Sequence, residues 1–510
     1  MSFPYTILMI EVTVEQVQKD SLEKEYGAFI VFLTKNEGPL GAPEQLISAF
    51  EAQINALKET NDLPEDKKKT SILYSPGLKT KRLGLVGFGE KDEVDLQLIR
   101  EVSAIIGRKL RDLKSEKIVY IFPEGTSLDS QDIAKAIVEG AILGTYKFTE
   151  LKTKDKDKFK PITYIGVYSK EDISKGLRWG KVIAESTNLA RDLANRPSNI
   201  ATPTHFVEVA KEYLKKYDNM KIDVLDEKQC KKLGMGAFLA VAKGSDEPAK
   251  FLIMEYKGGN PEDKPVVLVG KGVTFDTGGI SLKPQSAIVG MKGDCSGAAA
   301  VIGAVRVAAE LGLPLNVVGL APLTENMPSG KATKPEDVVY AMNGKSIEII
   351  NTDAEGRLIL ADALCYAERY EPKWVVDLAT LTGAIVIALG DQAAGLFSKD
   401  DTLRKRLKLA GERSGERLWS MPLFDGYYDQ LKSKVADMKN VGGRPAGSAT
   451  AAAFLSNFAE NYPWAHLDIA GIAWVDKSTP LCEEGMTGAG VRVLSELLFD
   501  EAKIRNITIE

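Results

Sequence analysis

PVVLVGKGVTFDTGGISLKP, residues 265–284, opens on an apolar run and passes into a glycine-rich segment that carries Lys271, Asp276 and Lys283. The run bounded by Pro265 and Gly270 predicts a buried strand, and the glycines after it predict a loop, so three charged groups gather at one strand end. Outward from this stretch, short β-rich runs at 315–321, 346–350, 374–378 and 465–469 alternate with helical stretches at 296–311 and 356–370. Such alternation predicts an α/β fold with a central, mostly parallel β-sheet flanked by helices, in which ligands bind beyond the carboxyl ends of the strands.

The first 170 residues show the same alternation more weakly, with apolar runs at 28–33 and 117–122 and an amphipathic stretch at 98–113, but no catalytic motif. LKTKDKDKFK, residues 151–160, is charged and almost free of apolar residues, which predicts an exposed turn near a domain boundary. Beyond it, Leu177, Ile183, Leu189 and Leu193 recur at near-helical spacing. A chain of 510 residues exceeds what one core supports, so two domains are expected: 1–170, a connecting helix at 171–195, and a catalytic part at 196–510.

Apolar residues make up 44% and charged residues 27%, values of ordinary globular chains, and the net charge of −5 gives no global attraction to nucleic acid. The four cysteines form no close pair, which argues against a disulfide framework or zinc ribbon. MSFPYTILMIEVTVEQ lacks a basic region ahead of an apolar one, and no apolar run matches a bilayer span, so a cytoplasmic protein without a membrane role is expected. With only His205 and His466, both read as structural, metal chemistry must rest on carboxylates.

MKGDCSGAAA, residues 291–300, places Asp294 before a helix, where capping is an ordinary role for an aspartate. IEIINTDAEGRLILADAL, residues 347–364, carries Asp353 and Glu355 two apart, a spacing that puts both side chains on one side of an extended segment. Asp276, Asp294, Asp353 and Glu355 together would repel one another strongly, and two divalent cations would balance them in a hydrolytic site. Cys295 has no activating base near it in sequence and reads as packing.

NTDAEGRL, residues 351–358, resembles the signature of the leucyl aminopeptidase (cytosol aminopeptidase) family of hexameric di-metal peptidases. VGKGVTFDTGGISLKP, MKGDCSGAAA, DLATLTGA at 377–384 and WAHLDIAG at 464–471 support the resemblance, which runs from about Asn195 almost to the end. It implies an amino-terminal macro-domain-like α/β domain and a carboxy-terminal catalytic α/β domain. It further implies one metal held by Lys271, Asp276, Asp294 and Glu355, and another held by Asp276, the side chain and carbonyl of Asp353, and Glu355.

The same resemblance implies that Lys283 stabilises the oxyanion, that Arg357 holds a bicarbonate acting as general base, and that a bridging hydroxide attacks the carbonyl. Met291, Thr380, Gly383 and Met486 match positions lining the family's first side-chain pocket, which implies Leu- and Met-like amino-terminal residues in the peptide substrate. Zinc or manganese is expected, with cobalt or magnesium also compatible with the ligands, in a homohexamer built as a dimer of trimers. The alternatives are an architectural or regulatory DNA-binding factor, as some relatives of this kind are, and a di-metal phosphoesterase.

Overall fold

The computed structural model describes residues 10–504, apart from 36, 76, 77 and 155–157. These residues form two compact units: one takes the chain up to Asn188 together with Lys477–Glu484, and the other comprises Leu189–Asp476 and the segment from Gly485. The division falls inside the helix Ser174–Asn195.

In the amino-terminal unit the strands run in the order Thr13–Val17, Tyr164–Tyr168, Lys117–Ile121, Ala28–Thr34, Arg82–Gly89, Thr70–Tyr74, with only the last pair of this series antiparallel. Ala28–Thr34 is buried along its whole length because alternate side chains feed two cores. Ile30 and Phe32 pack with the helices Leu96–Asp112 and Ser130–Thr145, while Phe29, Val31 and Leu33 pack with Leu46, Phe50 and Ile54. Lys477–Glu484 is tied to this unit by Arg108, which donates to the carbonyls of Thr479 (2.9 Å) and Pro480 (2.8 Å), and by Arg111, 2.7 Å from Glu483. Residues 151–154, 158 and 160 of the charged run are exposed, and 155–157 lie outside the described residues.

The second unit is built on a nine-stranded sheet. Its centre is parallel, in the order Trp464–Asp468, Trp374–Ala379, Val266–Gly270, Asn316–Asn326, and Ala394–Phe397 on one side and Lys250–Lys257 on the other join it antiparallel, which makes the sheet mixed with a parallel heart. Val267 and Val269 face a core shared with Ile359 and Leu360 of the helix Gly356–Ala367, each fully buried side chain contributing about 1.5–3 kcal/mol. The apolar helix Ser296–Leu311 lies in the stretch Gln285–Leu311, whose most apolar window is 72% buried within the fold, as a core helix is.

Two glycines set the distances that matter for the chemistry. A Cβ on Gly297 would come within 2.2 Å of the Leu378 carbonyl oxygen, so only glycine lets the helix Ser296–Leu311 begin directly over the strand ends. The amide of Ala298 then donates to the carbonyl of Lys271 (2.9 Å), while the amide of Lys271 donates to Leu378 (3.0 Å). On the other side, a Cβ on Gly356 would stand 2.6 Å from Cε of Lys271, so a larger residue there would block the lysine stem.

Candidate metal centre

Lys271 leaves the strand Val266–Gly270 and its side chain is 3% exposed. Its Nζ lies 2.8 Å from Asp294 Oδ1 and 2.8 Å from Glu355 Oε1, and donates to the carbonyl of Thr380 at 2.9 Å. Asp276 ends the strand Gly272–Asp276 and lies 2.8 Å from Lys283 through Oδ2; Lys283 also pairs with Asp353. One oxygen each from Asp276, Asp353 and Glu355 lie within 4.8 Å of one another. All four acids and both lysines of the sequence analysis therefore meet at the carboxyl end of the sheet.

One local expectation is corrected, and the ordinary capping role open to Asp294 is not taken up. Asp294 does not cap the following helix: Cys295 occupies the cap position without a side-chain bond, and Asp294 Oδ1 instead accepts from Thr380 Oγ1 at 2.7 Å. Glu355 is not in an extended segment with Asp353, because its backbone is already helical (φ −77°, ψ −36°) and Thr352 and Asp353 form a turn. The two carboxylates converge because the turn folds back, and not because strand side chains alternate.

Burial raises the pKa of Asp294, Glu355 and Asp353 above the usual carboxylate range; for Asp294 and Glu355 the neighbouring acids add to it, while the lysines oppose it. Burial works against charge on Lys271 and Lys283 as well, but the facing carboxylates outweigh it and hold both ammonium groups above the ordinary lysine value. Four carboxylates against two ammonium groups leave an excess of buried negative charge, which is costly in a low-dielectric interior. Asp294 Oδ2 and Glu355 Oε2 are buried with no hydrogen-bond partner. Orphaned, anionic oxygen donors of this kind fit divalent metal ions.

Arg357 stands in the first turn of Gly356–Ala367, buried, donating from Nη1 to the carbonyl of Asn440 at 2.9 Å. Its Nε is buried without a partner, and among the described residues no carboxylate lies within ion-pair distance of it. Burial brings the guanidinium down to about 10, against the pull of Glu355 and Asp468, so it remains a cation at neutral pH. A buried cation with a free donor at a helix amino terminus fits a small anion such as bicarbonate.

Of the four residues expected to line a pocket, Thr380 and Met486 meet the turn that carries Asp294, Met486 packing its methyl against Gly293 and lying 3% exposed. Met291 opens that turn and is half-buried, and Gly383 begins the helix Gly383–Leu389 in an exposed position with nothing within 4 Å of an added Cβ. His205 donates its amide to Thr202 Oγ1 at a helix start, and His466 pairs with Asp377 at 2.6 Å inside the sheet, so neither joins the cluster.

Three residues that the motifs did not single out hold the cluster in place. Asn326 donates to Asp276, Asn440 donates to the carbonyl of Asn351 (2.7 Å), and Asp468 accepts from Leu381 (3.1 Å) and Thr382 Oγ1 (2.6 Å). Asp468 lies in the quoted WAHLDIAG, where a polar residue interrupts an apolar run, and Asn326 closes its strand after Thr324 and Glu325.

Carboxylates, lysines and a buried arginine on the carboxyl ends of a parallel sheet define a metal-dependent hydrolase. The cytosol aminopeptidase family model matches with its catalytic domain over residues 188–495 and with its amino-terminal domain over residues 30–155. A probable cytosol aminopeptidase from Thioalkalivibrio sulfidiphilus is 43% identical over 496 residues, covering 95% of this chain and 99% of that protein, and one from Paraburkholderia xenovorans is 45% identical over 472 residues, covering 91% of each. Among solved structures, a mutant of tomato leucine aminopeptidase superposes with a TM-score of 0.87 at 31% identity, over 98% of both chains. The bottromycin maturation enzyme BotP in complex with Mn superposes with a TM-score of 0.84 at 33% identity, over 94% of this chain and 100% of that one. The chain belongs to the cytosol aminopeptidase family, and it is a peptide-hydrolysing aminopeptidase that uses divalent metal.

Proposed function

We propose that this chain removes the first residue, preferably Leu, Met or another apolar one, from peptides with two divalent ions held by Lys271, Asp276, Asp294, Asp353 and Glu355. The observation that carries the reading is the convergence of four acids on two lysines with Asp294 Oδ2 and Glu355 Oε2 buried and unpartnered. Two such ions supply an anchor for the free α-amine, a polarised carbonyl and a water of lowered pKa. Lys271 joins them as a neutral amine, since a dication beside it disfavours the ammonium form.

Lys283, kept protonated by Asp276 and Asp353, places its charge beside the centre and stabilises the oxyanion of the reacting carbonyl. Arg357 anchors a bicarbonate through its free Nε, and the anion serves as the proton acceptor. Met291, Thr380, Gly383 and Met486 line the pocket for the first side chain, where methionine adapts to several apolar shapes. Manganese or zinc is the expected ion, manganese being supported by the BotP complex. The catalytic part spans 196–510, and the working form is a cytoplasmic homohexamer, a dimer of trimers, which light scattering tests.

Hydrolysis of leucine anilide, its N-acetylated form and a phosphate monoester tests the reading, before and after chelation and return of Mn2+. The expected result is cleavage of the free-amine substrate alone, lost with the metal and restored with it. Equal cleavage of the acetylated compound, or turnover of the phosphate ester, contradicts it, and comparable rates on glutamyl and leucyl peptides contradict the apolar pocket.

A further inference from the structure

Asn326 ends the strand Asn316–Asn326 and is 4% exposed. Its Nδ2 donates to Asp276 Oδ1 at 2.8 Å and to the carbonyl of Thr352 at 3.0 Å. Its own carbonyl accepts from the amide (3.0 Å) and the hydroxyl (2.8 Å) of Thr277. One residue thus bonds to Asp276, to the residue after it and to the residue before Asp353.

The amide of Gly278 also donates to Asp276 Oδ1, at 2.9 Å. Two N–H groups therefore occupy that oxygen, and Oδ2 is the one left turned toward Lys283. A carboxylate bonded in this way cannot rotate without losing both donors, and hydrogen bonds to a charged acceptor are the stronger kind. Thr352 is held from the other side as well, its hydroxyl donating to Gly278 (2.7 Å) and accepting from Ser281 (2.8 Å).

We propose that Asn326 is a positioning residue for the metal centre: its amide fixes which oxygen of Asp276 faces the ions and holds the Asp353 turn at a matching distance. The inference rests on the two-ion reading above and deepens it. It places the demand on a side chain that touches neither substrate nor ion. Without Nδ2, Asp276 gains a free rotation and the turn bearing Asp353 loses one of its ties. The ion that these two acids share is then held less well than the one beside Lys271.

Titration calorimetry of Mn2+ into metal-stripped native protein, Asn326→Ala and Asn326→Leu tests this, Leu keeping the volume of Asn without its donor. Thermal unfolding of each metal-free protein and leucine anilide kinetics accompany the titration. The expected result is an affinity about 10–100-fold lower at one of two sites, a reduced kcat, a KM near native and a metal-free melting temperature close to native. Native-like binding and kcat in either variant overturns the proposal, and so does equal weakening of both sites. Failure of both variants to fold also overturns it, because the amide would then serve the fold and not the ions. If native protein itself binds fewer than two Mn2+ ions, it is the two-ion reading that fails.

Discussion

Lys271 and Glu355 form an ion pair, Nζ to Oε1 at 2.8 Å, in which each side chain is only 3% exposed. A pair this deep is seldom kept for stability, because desolvation of both ions offsets most of their attraction. It makes chemical sense as the protonated counterpart of a metal site, in which the lysine supplies positive charge that a dication supplies when bound. With Lys271 among the proposed ligands, metal uptake displaces its proton, so affinity is expected to rise with pH.

Lys283 is the second cation of the cluster, and it faces Asp276 and Asp353 where Lys271 faces Asp294 and Glu355. Lys283→Met is expected to bind metal as native protein does while kcat on leucine anilide falls about 10²–10³-fold, the loss typical of a missing oxyanion donor. Steady-state kinetics with metal analysis check this. A raised KM with unchanged kcat would place Lys283 in ground-state binding instead.

Arg357 keeps a buried Nε without a partner. Arg357→Ala is expected to lower kcat about 10²–10⁴-fold, the range for a lost general base, and to abolish any response to added bicarbonate. Rates in carbonate-free buffer with and without bicarbonate supply the measurement. Full activity in the variant contradicts the assigned anchor.

Gly383 stands at the start of its helix with open space where a Cβ would project. Gly383→Val is therefore expected to leave the melting temperature unchanged while lowering kcat/KM for leucyl relative to alanyl substrates about 10-fold, a methylene-scale discrimination. An unchanged ratio would place the first side chain elsewhere.

Asp362 is fully buried beneath the backbone amides of Phe238 (2.8 Å) and Met342 (2.7 Å), and burial pushes its carboxyl up to about 7. Its unfolded value is about 3.9, so between those pH values the folded state binds more protons and stability falls as pH rises, levelling off above the folded pKa. Asp362→Asn does not titrate. Denaturant midpoints across pH are expected to show the native protein losing, relative to the variant, on the order of a few kcal/mol over that window. A difference independent of pH contradicts the burial account.

The sequence made the acids legible because metal chemistry clusters them in short glycine-rich segments after strands, and the strand at 266–270 and helix at 296–311 were legible from apolar runs alone. Conformation within the segments was not. Nothing local says that Asp294 turns away from its helix toward Thr380, 86 positions on, or that Glu355 is already helical. Asn326, Asn440 and Asp468 were hidden for the same reason: each acts on a partner some 50 to 90 positions away. A lone Asn or Asp at a strand end reads locally as a turn residue.

Metal content per chain, measured together with leucine anilide hydrolysis for native protein, Asp353→Asn and Lys271→Ala, bears most directly on the central claim. Two divalent ions in the native protein, one retained by Asp353→Asn, weakened uptake by Lys271→Ala and activity lost in both is the predicted result. Full activity in either variant, or an active native protein that carries no divalent ion, would contradict it.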